Sequence, residues 1–183
     1  MSKNTVIPSK QAPLLGFCAY GSGSGKTTLL TSLIPELIQL GLRISVIKHA
    51  HHKFDIDHPG KDSYRLREAG AVQMMVGSSA RWALMTELSR TDHAEQEPSL
   101  EQLLAEMDHA LADLIVVEGF RNAAISKIEV YRAETNTPLL AHDDHTIIAI
   151  ATDSKLNCNQ PQIDLNDIPA IARFIMQWLK TEH

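Results

Sequence analysis

Apolar residues follow two alternating rhythms along the chain. Residues 14–20 and 114–117 are continuous apolar runs, as expected of strands buried on both faces. After the first run, Leu29, Leu30, Leu33, Ile34, Leu37 and Ile38 recur at helical spacing, Gly41 stops the stripe and Pro35 predicts a kink within it. Residues 43–48 (RISVIK) read as a second strand, 61–69 as a short helix closed by Gly70, and 72–76 and 82–85 as further strands. The acidic stretch 89–97 reads as an exposed loop. Ser99, with Gln102 three residues on, forms a capping box for a helix whose apolar face is Leu100, Leu103, Leu104, Met107 and Leu111. Residues 127–132 and 146–151 read as strands. Asn166 or Asp167 caps a last helix that turns Ile168, Ile171, Ile175, Trp178 and Leu179 inward. Strands alternating with helices predict βα units and a mainly parallel sheet.

Composition narrows the function classes. The 183 residues predict one domain over 1–183, with 1–13 as a flexible N-terminal segment. Apolar residues make up 44% and charged residues 21%, enough for one sizeable core. Seventeen basic against 22 acidic side chains leave a net charge of −5, so nothing global favours nucleic acid or a membrane surface. No run of apolar residues is long enough to span a bilayer. Cys18 and Cys158 have neither disulfide-framework density nor C-x-x-C spacing, which suits a reducing, cytoplasmic address.

Chemistry concentrates at Tyr20-Gly21-Ser22-Gly23-Ser24-Gly25-Lys26-Thr27-Thr28, between the first strand and the first helix. Glycines there let the backbone wrap so that successive N–H groups point at phosphates. The helix N-terminus favours anions. Lys26 supplies a positive charge to the outer phosphates, and the Thr27 hydroxyl is placed to ligate Mg²⁺. The strict pattern G-x-x-x-x-G-K-[ST] has glycine where this chain has Tyr20. Residues 113–119 (DLIVVEG) then form a hydrophobic strand ending in Glu118, the layout by which P-loop proteins hold Mg²⁺ or its waters. Together these motifs predict an α/β, P-loop NTPase-like three-layer fold with helices on both faces.

Two further segments leave alternatives open. Residues 48–63 (KHAHHKFDIDHPGKDS) hold His49, His51, His52 and His58 with Asp55, Asp57 and Asp62. They read as a solvated loop, as a switch-like loop with Asp55 or Asp57 near Mg²⁺, or as a transition-metal site. The guanine signature N-K-x-D is absent, and Asp153 in ATDSKLN is either the carboxylate that accepts from a guanine base or an ordinary strand-end turn residue. Arg65, Arg67 and Arg81 face an anionic ligand or are surface charges.

The linked motifs GSGSGKTT, IKHAHHKFDIDHPGKDSYRLREAGA, RWALMTE and DLIVVEGFR resemble the molybdopterin-guanine dinucleotide biosynthesis protein B (MobB) family, densely over residues 14–132. The resemblance implies a homodimeric GTP-binding protein of weak GTPase activity. It also implies a partner, the MobA-type guanylyltransferase that attaches GMP to molybdopterin. Carried over motif by motif, the phosphate contacts fall on Gly23 to Thr28 and Mg²⁺ on Thr27 with Glu118 or Asp57. Two rivals remain. A P-loop small-molecule kinase has the same loop, but the acidic 89–97 stretch is unlike an arginine-rich lid. A metal-delivery module would use the histidines of 49–58.

Overall fold

The computed structural model describes residues 11–50, 54–92, 94 and 97–182. Two compact units divide the chain, with boundaries at His49/Ala50 and Ser99/Leu100. The reading of 1–183 as one domain did not separate the 50-to-99 insertion as a unit.

The larger unit is an α/β P-loop NTPase-like fold. Its six-stranded sheet has the order β2-β5-β1-β6-β7-β8, and every pairing in it is parallel. The strands are β1 (Leu14–Cys18), β2 (Ile44–Lys48), β5 (Leu114–Glu118), β6 (Lys127–Tyr131), β7 (Ile147–Thr152) and β8 (Gln162–Asp164). Side chains of β5 alternate between two cores. Leu114 and Val116 pack with Leu29, Leu33 and Leu37 of α1 (Lys26–Gln39) and with Ile171 and Ile175 of α4 (Ile168–Glu182). Ile115 and Val117 pack on the other face with Leu100, Leu103 and Leu104 of α3 (Leu100–Ala105). Helices therefore cover both faces, as the apolar stripes predict. Among the described residues, no helix is long and apolar enough to cross a membrane.

Several local readings shift. Pro35 lies inside α1, where the sequence places it, but Ile38, expected on the buried stripe, is 53% exposed. The helix after Ser99 stops at Ala105, so Leu111 sits in a separate 3₁₀ turn and is 65% exposed. Asp167 is the cap of α4, its Oδ1 accepting the Ala170 N–H at 2.9 Å. The 3-residue edge strand β8 was not expected.

The smaller unit holds α2 (Asp62–Glu68) and an antiparallel hairpin of β3 (Gln73–Gly77) and β4 (Trp82–Thr86). Arg67 is the one buried residue among its described positions. Its guanidinium donates to Glu87 Oε1 and to Asp55 Oδ2, each at 2.7 Å. Its Cζ also lies 5.1 Å from the Tyr64 ring centroid. Hydrogen bonding to Glu87 raises the Arg67 pKa, while the Asp57 N–H, with help from Arg67, lowers that of Asp55. This unit is organised around an ion cluster instead of an apolar core.

Candidate functional site

The sheet order places β1 between β5 and β6, so the chain crosses to opposite sides of β1 from its two neighbours. Open α/β sheets bind ligands at such a switch point, outside the carboxyl ends of the strands. The glycine-rich loop sits there, directly after β1. Gly23 and Gly25 have φ of 79° and 86°, in the left-handed region that glycine adopts without strain. At Gly25 a Cβ would also stand 3.0 Å from Nε of Arg132, so that side chain would have to shift. Gly21 and Ser22 are exposed, whereas Ser24 is buried. Tyr20, where the strict pattern has glycine, is covered by Arg121, whose Cζ lies 5.9 Å from the ring centroid and whose Nη1 donates to the Tyr20 carbonyl at 3.4 Å.

Lys26 opens α1 and curls back over the loop. Its ammonium donates to the Gly21 carbonyl and to Ser24 Oγ, both at 3.1 Å. Partial burial lowers its pKa, with the Glu118 charge opposing. Thr28, next along, contributes its carbonyl to the Thr31 hydroxyl at 2.9 Å. The Thr27 hydroxyl donates to Glu118 Oε1 at 2.7 Å. Lys26, Thr27 and Glu118 are therefore brought together from positions 91 residues apart, as their motifs predict.

A fourth member of this cluster carried no signal in the sequence. Lys48, the last residue of β2, is in register with Glu118 on β5. Its ammonium donates to Glu118 Oε2 at 3.1 Å, to Oε1 at 3.2 Å and to Thr27 Oγ1 at 3.2 Å. The strand ends approach closely because Gly119 has no side chain: a Cβ there would stand 2.5 Å from Cβ of His49. His49 also packs against Phe120, with ring centroids 4.8 Å apart and ring planes tilted by 39°.

Thr27 and Glu118 offer one hydroxyl and one carboxylate oxygen pair beside a phosphate loop. Mg²⁺ takes oxygen ligands, typically one or two carboxylates plus phosphate oxygens and waters, so this donor set fits it. A cation already bridges the same oxygens, in the form of the Lys48 ammonium.

Asp153 follows β7 and lines a pocket of about 290 Å³ with Thr152, Ser154, Lys155, Gln162 and Asp164. Its Oδ1 accepts the Ala133 N–H at 2.9 Å, and its Oδ2 lies 3.7 Å from Arg132 Nη1. A carboxylate has about four acceptor positions, so capacity remains for a ligand. Arg132 thus touches both the phosphate loop and the Asp153 pocket. A second cavity of similar size, lined by Pro13, Leu14, Ile125 and Trp178, lies at the opposite end of β1.

The histidine- and aspartate-rich segment is only partly described. Asp57 belongs to the smaller unit, where its Oδ1 accepts from Ser63 Oγ at 2.9 Å and its Oδ2 lies 3.9 Å from Arg67 Nε. Asp55 is engaged with Arg67, and Arg65 stands 3.8 Å from Asp62. Arg81 contributes its carbonyl to the Ser78 hydroxyl and N–H. Among the described residues, no group of three or more His, Cys, Asp or Glu is placed to hold a metal ion. His51 and His52 lie outside the described residues.

Comparison with known proteins follows this geometry. A family described as molybdopterin guanine dinucleotide synthesis protein B matches residues 14–153. A molybdopterin-guanine dinucleotide biosynthesis adapter protein of Escherichia coli is 46% identical over 185 residues, covering 100% of this chain and 99% of that protein. Its namesake in Haemophilus influenzae is 44% identical over 178 residues, covering 97% of this chain and 96% of that protein. A solved structure of molybdopterin-guanine biosynthesis protein B superposes with a TM-score of 0.67 at 25% identity, covering 91% of this chain and 99% of that one. Bacillus subtilis MobB shares the fold with a TM-score of 0.67 at 23% identity, covering 93% of this chain and 99% of that one.

Proposed function

The chain belongs to the molybdopterin guanine dinucleotide synthesis protein B family, and on that premise we propose that it is an adapter protein of molybdopterin guanine dinucleotide biosynthesis that binds Mg²⁺·GTP and hydrolyses it slowly. The observation that carries this reading is the meeting of Lys26, Thr27 and Glu118 at the mouth of the glycine-rich loop. The loop and the start of α1 receive the phosphates from Gly21 to Thr28. Lys26 exchanges its bonds to Gly21 and Ser24 for phosphate oxygens, and Thr27 and Glu118 hold the metal. Mg²⁺, when bound, supplies charge neutralisation on the outer phosphates. Hydrolysis then rests on positioning and electrostatics, with no covalent step on the protein. The kinase and metal-delivery readings gain nothing from this site. The proposed partner is the MobA-type guanylyltransferase, in the cytoplasm.

Guanine selectivity is assigned to Asp153. Its carboxylate accepts from N1–H and the exocyclic amine of guanine, which adenine does not offer. The test is competition of GTP against ATP for binding, with and without Mg²⁺. Wild-type protein prefers GTP, and Asp153→Asn lowers GTP affinity at least tenfold while leaving ATP binding weak and unchanged. An Asp153→Asn variant that still prefers GTP as strongly as wild type removes Asp153 from the base site.

A homodimer completes the proposal, with the hairpin as its contact. Met75 and Trp82 lie on the same face of β3 and β4 and are 60% and 67% exposed. A two-stranded ribbon is marginal alone, and its unpaired edges and apolar face gain most from a second copy of the same ribbon. Trp82→Glu and Met75→Glu each raise the dimer Kd about thirtyfold, the size of a hot-spot loss of about 2 kcal/mol. Light scattering across a dilution series reads this, and a dimer unaffected by both changes moves the interface elsewhere.

A further inference from the structure

We propose that Lys48 determines how the metal enters: it makes the Thr27–Glu118 site accept a divalent cation together with a nucleoside triphosphate and reject the free ion. This rests on the reading of Thr27 and Glu118 as the metal-holding pair. Three observations support it. Lys48 and Glu118 are parallel-strand neighbours in register, so both side chains leave the sheet on one face. The Lys48 ammonium lies 3.1 to 3.2 Å from three oxygens, Glu118 Oε1 and Oε2 and Thr27 Oγ1. Those oxygens are the donors a divalent cation would use. Glu118 is 8% exposed, whereas the Lys48 side chain is 55% exposed and free to swing outward.

An ammonium carries three donors and no acceptor, so an all-oxygen cradle suits it as it suits a metal ion. Both cannot stay. Metal–oxygen distances of about 2.1 Å would set two positive centres against each other within one coordination shell, in a partly buried site where screening is weak. A free hydrated Mg²⁺ must shed waters and also expel Lys48 into solvent, away from the Glu118 carboxylate it pairs with. A Mg²⁺·triphosphate complex brings phosphate oxygens that receive the expelled ammonium. Lys48 thereby couples metal entry to nucleotide entry.

The test measures Mn²⁺ binding from the free-ion EPR signal, with and without GTP, alongside thermal stability. Lys48→Met keeps the stem and removes the charge. Without nucleotide, it binds Mn²⁺ at least tenfold more tightly than wild type, while Lys48→Arg, which keeps the charge, stays weak. With GTP present, Mn²⁺ affinities of wild type and Lys48→Met converge to within a few fold. Equal nucleotide-free Mn²⁺ affinity in wild type and Lys48→Met overturns the proposal. So does a Lys48→Met that still binds Mn²⁺ at least tenfold more tightly than wild type with GTP present, because the phosphates would then not relieve the competition between ammonium and metal. Glu118→Gln separates the two levels of inference. If it weakens Mn²⁺·GTP binding while Lys48→Met changes nothing, the metal site stands and the Lys48 assignment falls. If Glu118→Gln and Thr27→Ala both leave Mn²⁺·GTP binding intact, the metal-site reading fails and takes the Lys48 assignment with it.

Discussion

Lys26→Ala weakens GTP binding at least tenfold and leaves the fold intact. Lys26 contributes to no apolar core, and its contacts are two polar bonds to its own loop, at the Gly21 carbonyl and Ser24 Oγ. Their loss costs little, because Gly21 is exposed to water and the buried Ser24 hydroxyl loses a single bond, a change of about 1 kcal/mol. Binding is another matter. Hydrogen bonds to charged groups contribute about 1.5–3 kcal/mol, and about 1.4 kcal/mol is tenfold in affinity. Burial already lowers the Lys26 pKa, a sign that its ammonium waits in a partly dehydrated position where an arriving phosphate dianion gains most. Calorimetry with Mg²⁺·GTP reads the affinity, and circular dichroism with a melting curve checks the fold. Undiminished binding in a folded Lys26→Ala protein would sink the nucleotide-site assignment.

The sequence and the structure agree where a signal is local and part where it depends on register. β1 and β5 were legible because strands buried on both faces read as unbroken apolar runs. α1 and α4 were legible because each buries a stripe, although Ile38 lies at the edge of its stripe and faces solvent. β8 was not, because three residues, two of them polar and lying at a sheet edge after Pro161, carry no periodicity. The insertion's elements were readable, but its standing as a unit was not, since what gathers it is the Arg67 ion cluster and not hydrophobic patterning. In the site, Lys26, Thr27 and Glu118 follow from motifs. Lys48 and Arg132 do not. A lysine ending a strand looks like any surface charge until the sheet order sets β2 beside β5. Arg132 matters only because β6 runs beside β1, which brings its guanidinium against Gly25.

The same dependence on register hides a buried residue whose loss costs much stability. Lys127, at the start of β6, is 2% exposed. Its ammonium donates to the carbonyls of Arg121 and Ala123, each at 2.8 Å, and pairs with Asp144 at 2.8 Å. All three donors are used, and two of them hold the loop that leaves β5 after Glu118. That loop carries Arg121, which covers Tyr20 beside the phosphate loop. Lys127→Met keeps the stem but strands a carboxylate and two carbonyls. Breaking a buried pair from one side costs about 3–5 kcal/mol, or a Tm drop on the order of 10 °C in a chain of this size. Replacing Asp144 as well, in Lys127→Met/Asp144→Leu, recovers part of the loss, because the penalty comes from the uncompensated charge. The pH dependence follows from Asp144. Burial pushes its pKa up, but bonds from Lys127 and Thr146 outweigh burial and hold it below the ordinary carboxylate value. A depressed carboxylate stabilises the fold above its unfolded pKa, and that contribution fades as pH falls through the lower folded value. Without Lys127 the depression shrinks to what the Thr146 N–H and hydroxyl sustain, and Asp144 protonates earlier on acidification. The Tm gap between wild type and Lys127→Met therefore narrows from pH 7 toward about pH 4. Hydrogen exchange should show amides of the 119-to-126 loop losing protection in Lys127→Met before those of β1 and β5. A Tm within about 2 °C of wild type, or a gap that stays constant across that pH range, would mean that the Lys127–Asp144 pair does not hold the loop.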